Sequence, residues 1–372
     1  MLSSRLLRGV VNPARRLYST GVWSDFSKRP ESLKLIDQQY QNDLLKGIDP
    51  EVGPASIEQE DRKLAYHSPV AIDETFAMAY ELLQTESKAV YDQIAVEKDQ
   101  AKIDQLSVKA EKYNPEVLFN IENFPEKIDR EQPVYRKYLK ELWESHDKML
   151  TMQRLEQHHV IPDTLPTLVP VAEVKVKFPH NTASEFKSWV EPGTILPAFA
   201  VSKPPTIQIQ EFERIAKDSL YSVILVNPDT PDLDTNTFKT TLQYGLCNVP
   251  LSNSDISIDT LKLLQHGDKY TFCDYEPLVP EKNAQTQRAC LWVFRQEKEL
   301  PVTNLNKERD SFDIRSFTEQ HGLTAVGAHM WRQAFDRSVN AVREDYNLGK
   351  GRVFHRVKRN QPVIDYSGIN VV

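Results

Sequence analysis

The amino-acid sequence predicts an α+β protein: an N-terminal targeting segment and extended arm, a helical segment, then a mainly antiparallel β domain. Three observations carry that reading. Apolar side chains recur at spacings of three and four between residues 73 and 157, the period of a helix face. From Val174 the period falls to two, with Val174, Val176 and Phe178 alternating with Lys175 and Lys177. Val223-Ile224-Leu225-Val226 is an unbroken apolar run bounded by turn chemistry, the pattern of a strand buried on both faces. The implied boundaries are a targeting segment at 1–18, an arm at 19–69, helices at 70–160, the β domain at 165–346 and a basic tail at 347–372.

Residues 1–20 carry Arg5, Arg8, Arg15 and Arg16, and no acid precedes Asp25. Arginine-rich, serine-containing and acid-free composition is that of a mitochondrial presequence, whereas a secretory signal needs an apolar core of about 7–15 residues that these arginines interrupt. The Arg-Leu-Tyr-Ser stretch at 16–19 suits matrix processing between Tyr18 and Ser19. Loss of the four arginines takes the formal charge from −7 to −11. Such an acidic chain cannot coat nucleic acid as a whole, so any RNA contact must be local.

Residues 23–69 mix prolines and charges without period. Trp23, Phe26, Leu33, Leu35 and Tyr40 are too sparse for a core, yet a disordered segment usually lacks such residues. An extended arm whose aromatics dock on a neighbour is expected, with a loose linker at 59–63. Asp73 is placed to cap a helix bearing Phe76, Tyr80 and Leu83. Ile103, Leu106, Ala110 and Tyr113 form a second stripe, ended by Asn114-Pro115. The longest helix is expected from Pro133 to about Gln157, with Tyr138, Leu142, Trp143, Met149 and Leu150 on its apolar face. His158 and His159 near its end point about 100° apart on a helix. That is poor geometry for one ion, so both read as solvent-facing. Cys247, Cys273 and Cys290 are odd in number and widely spaced, which fits buried free thiols and neither a metal site nor a disulfide framework. No stretch of about 18 apolar residues exists to span a membrane. No cofactor or metal is expected.

In the β domain, Ile207 and Ile209 alternate in a strand, and further strands are expected at 221–226, 242–249, 269–275 and 288–296. A short amphipathic helix at 311–320 carries Phe312 and Phe317, and residues 323–335 are a small-residue run ending in aromatics. After Val226 the chain reads Asn227-Pro228-Asp229-Thr230-Pro231-Asp232. Two prolines among short polar residues are expected to stop ladder pairing and leave a rigid acidic loop, a common setting for a binding site.

Those residues carry a resemblance. Asn227-Pro228-Asp229-Thr230-Pro231, the loop Gln285-Thr286-Gln287-Arg288 running into a strand, and Phe312, Phe317, Leu323, Val326, Ala328 and Phe335 are similar in order to the motifs of the phosphatidylethanolamine-binding protein family, over residues 169–336. The resemblance implies packed β-sheets with a small anion pocket, so the fold expected is a phosphatidylethanolamine-binding-protein-like domain. It also implies an aspartate where this chain has Asn227, histidines near Gln243 and at Gln287, and a glycine at Gln285. Glutamine carries no charge near neutral pH, and charge-assisted donors are roughly twice as strong as neutral ones. The implied pocket, Asn227, Asp229, Pro231, Gln243, Gln287 and Arg288, is therefore read as vestigial. Asp229 and Arg288 remain as either a residual ligand site or a structural pair.

The targeting segment, the Trp-Ser-Asp-Phe at 23–26, the Asn-Pro-Glu-Val at 114–117, and the segments at 150–155 and 161–170 resemble, together with the β domain, a family of fungal mitochondrial large-subunit ribosomal proteins. What this implies is a non-catalytic constituent of the mitochondrial ribosome in the matrix, sited in the central protuberance. Its partners would be other large-subunit proteins and ribosomal RNA, with no small-molecule ligand. The tail fits RNA: Lys350, Arg352, Arg356, Lys358 and Arg359 cluster without acids, and Phe354 between them can stack on a base. The competing class is a matrix protein that binds a phospholipid or phosphate ligand. A hydrolase is disfavoured, since no nucleophile elbow, phosphate loop or metal-spaced histidines occur.

Overall fold

The computed structural model describes residues 23, 30–46, 48–49, 52–54, 57–67, 69–180, 186–216, 219–259, 263, 267, 269–355, 363–364 and 370–371. The expected targeting segment, with Tyr18 and Ser19, and the tail residues Arg356, Lys358 and Arg359 lie outside them. The chain divides into two units, 1–141 and 142–372.

The first unit is helical: α1 (Gln38–Lys46), α2 (Glu60–Leu64), α3 (Ile72–Ile94), α4 (Gln100–Glu111), α5 (Pro115–Asn123) and the start of α6 (Pro133–Ser145). A two-residue ribbon, β1 (Ile48–Asp49) and β2 (Gly53–Pro54), separates α1 from α2. The arm is thus less extended than its composition implies. The expected linker is α2, whose acids sit in the first turn and bases in the last, matching the helix dipole. Asp73 falls inside α3, whose cap position is Ala71. Asp99 caps α4 by accepting from the Ala101 amide at 3.1 Å. Asn114-Pro115 both ends α4 and opens α5, because Asn114 accepts from the Glu116 amide and Pro115 supplies a preset first turn.

Leu33, from the arm, is buried with Val117, Ile128, Val134 and Tyr135. Asn120 fastens this contact. Fully buried on α5, it accepts from the Ile36 amide at 3.1 Å and donates to the Lys34 carbonyl at 2.7 Å and the Tyr135 hydroxyl at 3.0 Å. The Tyr135 hydroxyl in turn donates to the Ser32 carbonyl. The arm therefore docks on its own helices, through a backbone clasp rather than through aromatics alone.

The single helix expected to Gln157 is two. The backbone breaks at His146 (φ −143°, ψ −63°), and α7 (Asp147–Gln157) and α8 (Val160–Asp163) follow. Leu155 and Val160 are fully buried in one apolar cluster with Trp292 and Phe294. The boundary expected at 160–165 thus falls instead at 142, because these helices share the β domain's core.

The strands are β3 (Ala172–Lys177), β4 (Ile195–Leu196), β5 (Thr206–Glu211), β6 (Leu220–Asp232), β7 (Thr237–Pro250), β8 (Ser257–Ile258), β9 (Thr271–Cys273), β10 (Gln287–Gln296) and β11 (Leu323–Gln333). Helix α9 (Ile314–His321) precedes β11, and α10 (Val339–Asp345) and a tail ribbon, β12 (Val363–Ile364) and β13 (Asn370–Val371), follow it. Six strands form one sheet in the order β4-β11-β10-β6-β7-β9, and β3-β5-β8 form another. Every pairing is antiparallel except β4 with β11.

Alternation along β6 explains its composition. Tyr221, Val223 and Leu225 enter a cluster with Val176, Ile207 and Ile209 of the small sheet. Ile224 and Val226 enter the other, with Leu155 of α7 and Phe317 of α9. A sheet covered by strands on one face and helices on the other needs strands apolar at every position. The run at 323–335 is β11, small because the other sheet lies close. A Cβ on Gly327 would sit 2.6 Å from a Val174 methyl.

Contrary to expectation, pairing does not stop at Pro228. β6 continues to Asp232, with Thr230 opposite Lys239 and Pro231 opposite Phe238, past a register shift between Asn227 and Thr230. Its ladder with β10 ends at Val226 opposite Cys290. Beyond that point β6 is an edge strand, where proline is tolerated.

Two tests follow. Asn120→Ala removes the clasp and leaves buried backbone groups unmet, at about 1–3 kcal/mol. Thermal melting should register the loss, and limited proteolysis should cut residues 30–46 sooner than in the unaltered chain. Buried His329 bonds the Val190 carbonyl through Nε2 at 3.0 Å, and its Nδ1 has no hydrogen-bond partner among the described residues. Burial pulls its pKa down to about 4, against the raising effect of the Val190 bond. The unfolded chain therefore binds this proton first, so stability is full above about pH 6.5 and falls as pH drops toward 4. Denaturant titrations across pH should show that loss, on the order of 3 kcal/mol, and His329→Gln should remove it.

Candidate functional site

Where β6 loses β10 as a neighbour, its side chains replace the ladder. The Arg288 amide donates to Asp229 Oδ2 at 2.8 Å. The Arg288 guanidinium grips the same carboxylate from Nε at 2.8 Å and Nη2 at 2.6 Å. Its Nη1 donates to the carbonyls of His158 and His159 at 2.7 and 2.9 Å and to Asp163 Oδ2 at 2.8 Å. Burial works against the charged form, but the Asp229 and Asp163 carboxylates outweigh it and hold the pKa above the ordinary arginine value.

Asn227 and Gln287 lie beside this pair and touch. Asn227, buried, donates from Nδ2 to Gln287 Oε1 at 3.1 Å and Thr230 Oγ1 at 3.2 Å, and accepts from the Asp229 amide at 3.0 Å. Thr241 Oγ1 donates to Thr230 Oγ1 at 2.8 Å. Pro231 sits next along the edge strand. Gln243 is not part of this network: its carbonyl accepts from the Glu276 amide and from Arg309, and its buried Oε1 has no hydrogen-bond partner among the described residues. Hydrogen bonds thus join four of the six expected pocket residues, Asn227, Asp229, Gln287 and Arg288, while Pro231 follows on β6 and Gln243 makes no hydrogen bond to them.

Above the network opens a cleft of about 860 Å³, lined by His158, Asp229, Gln285, Gln287, Arg288 and Phe354 among others. Gln285 is exposed at its rim. His158 is half-buried rather than solvent-facing, its pKa lowered by burial and then by Arg332, Arg154 and Arg288. Two residues that sequence reasoning missed complete the joint. Asp163 shares Arg288 with Asp229. Arg315 holds the same turn from the other side, through Nε on the Thr164 carbonyl at 2.9 Å. Both contacts bridge more than a hundred residues, so no local pattern marks them.

The tail begins pinned. The Phe354 amide donates to the Lys282 carbonyl at 3.0 Å, and Asn283 Nδ2 donates to the Phe354 carbonyl at 2.7 Å. Val353 bridges Lys282, and the Arg352 amide reaches Glu281. Phe354 is half-buried against the cleft, whereas Lys350 and Arg352 are exposed. The three cysteines are buried and free, and burial pushes the Cys247 thiol up to about 12. Among the described residues no cluster of His, Cys, Asp or Glu could hold a metal, and no helix is long and apolar enough to cross a membrane.

The phosphatidylethanolamine-binding protein family model matches residues 186–331. "Large ribosomal subunit protein mL38" from Schizosaccharomyces pombe is 33% identical over 246 residues, covering 64% of this chain and 74% of that protein. Among solved structures, the carboxypeptidase Y inhibitor in complex with its cognate proteinase is 15% identical, with a TM-score of 0.40 over 50% of this chain and 95% of that one. A phosphatidylethanolamine-binding protein from Plasmodium falciparum is 14% identical, with a TM-score of 0.38 over 50% and 97%.

If the Asp229–Arg288 pair is a joint, Arg288→Met should leave a partly buried carboxylate uncompensated, at about 3–5 kcal/mol. Denaturant unfolding measures this; an unchanged midpoint would count against the joint.

Proposed function

Because the chain belongs to the mL38 family of large ribosomal subunit proteins, we propose that it is a non-catalytic structural constituent of the mitochondrial large ribosomal subunit, in the matrix. On this reading it sits in the central protuberance and acts by contacting neighbouring proteins and ribosomal RNA. The observation that carries the non-ligand part is the Asn227–Gln287 amide pair. It stands where the family resemblance puts an ionisable acid and a histidine, and two neutral amides bonded to each other offer an anion no charge-assisted donor. Arg288, the cation that follows Gln287, has its guanidinium bonded to Asp229, Asp163 and two backbone carbonyls. A phosphate would have to compete with that set.

The exposed Lys350 and Arg352 support the RNA contact, since they leave the surface beside a stretch of the tail whose backbone is already fixed at Phe354. Preordering the base of a tail lowers the entropy lost when its cations settle on phosphates. Phe354 contributes to that anchoring, and base stacking is not the role its position favours.

Sucrose-gradient sedimentation of mitochondrial lysate should place the full chain with large-subunit particles. Deletion of residues 350–372 should at least halve the particle-bound fraction and make it more salt-sensitive. A profile confined to the top fractions would instead favour the phosphate-ligand reading.

A further inference from the structure

Helix α3 carries two apolar stripes, and its own unit covers only part of one. The helix is 23 residues, about 34 Å long, and α4, at 12 residues, packs along its C-terminal half. There Gln84, Ser87 and Val90 are buried and the Tyr91 hydroxyl donates to Glu111. Ile72 and Phe76 prolong that stripe toward the N-terminus. Met78 and Leu82 do not. At about 100° per residue they lie on a different side of the helix, one turn apart from each other. They are 66% and 62% exposed, and no described element of their own unit covers them.

Acids frame this second stripe. Glu74 and Glu81 fall along one edge and Glu86 along the other, all exposed. A helix that is apolar on two sides in water is normally buried on both. The covering partner must bring apolar anchors for Met78 and Leu82 and cations for the three carboxylates.

We propose that the Met78 and Leu82 stripe of α3 is a docking surface for a basic amphipathic segment of a neighbouring protein. The charge frame decides among occupants. RNA would set phosphates against three carboxylates, and an anionic membrane would do the same. A second copy using the same face would oppose acid to acid. A segment with leucine- or phenylalanine-type anchors spaced three or four apart, and lysine or arginine within a turn of them, satisfies both demands. The flexible thioether of Met78 suits such a groove-type contact.

This inference rests on the reading that the chain works inside a large ribosomal assembly, and the test separates the two. A photo-reactive benzoylphenylalanine replaces Met78 in the full chain, and large-subunit particles are collected from a gradient and irradiated. The expected product is an adduct with a peptide whose lysines or arginines flank apolar residues. An adduct with RNA, lipid, a second copy or an acidic peptide overturns the proposal, as does no adduct. In parallel, Leu82→Glu with Met78→Glu should lower the particle-bound fraction at least fivefold with unchanged thermal melting, since both sites are exposed. Equal binding of this variant overturns the docking surface and leaves the ribosomal reading intact. Failure of the unaltered chain to sediment with particles overturns both.

Discussion

One guanidinium holds three distant stretches of the β domain together. Arg288 lies at the start of β10, yet it grips Asp229 on β6, Asp163 on α8 and the carbonyls that end α7. At that point the main sheet runs out of neighbours on one side of β6. The backbone of Arg288 donates to a side chain because the opposing carbonyl of a paired strand is no longer there. The turn between α7 and α8 and the six-stranded sheet meet at this contact.

Two electrostatic regimes sit side by side at this end of the domain. The charged one sets two carboxylates, Asp229 and Asp163, against the single Arg288 guanidinium, which leaves a net negative charge. The neutral one, Asn227 with Gln287 and the threonines at 230 and 241, has no proton to gain or lose near neutral pH. Neither regime responds to a phosphate-sized anion by improving its own bonding.

Much of this was legible in the chain, and the failures are instructive. The run at 223–226 could only be a strand covered twice, and the covers are β3, β5 and β8 on one face and α7 and α9 on the other. The alternation at 172–177 specified two unlike sides, and β3 has one buried and one half-buried. The two prolines were misleading because proline reports on hydrogen bonding to both neighbours, and β6 has only one neighbour there. The break at His146 left the apolar period intact, so periodicity could not reveal it. In the site, the amide substitutions were visible locally. That Gln243 makes no hydrogen bond to Asn227 or Gln287 was not, nor was the recruitment of Asp163 and Arg315, since long-range contacts leave no mark on spacing. Asn120 is the same case in the first unit: a lone polar residue on an apolar helix face, explained only by the arm that it clasps.

Phe354 links the tail to the cleft. Its backbone is tied to Lys282 and Asn283, while its ring forms part of the cleft wall. A partner that drew residues 352–355 off the surface would widen the cleft, and anything that filled the cleft against that ring would favour the pinned tail. Such coupling is reciprocal by thermodynamic necessity, equal in free energy in either direction. The pinned state therefore acts as a small reference energy against which every tail contact is measured. A tail held this way leaves the surface in a fixed direction, so less conformational freedom remains to be lost when it meets a partner.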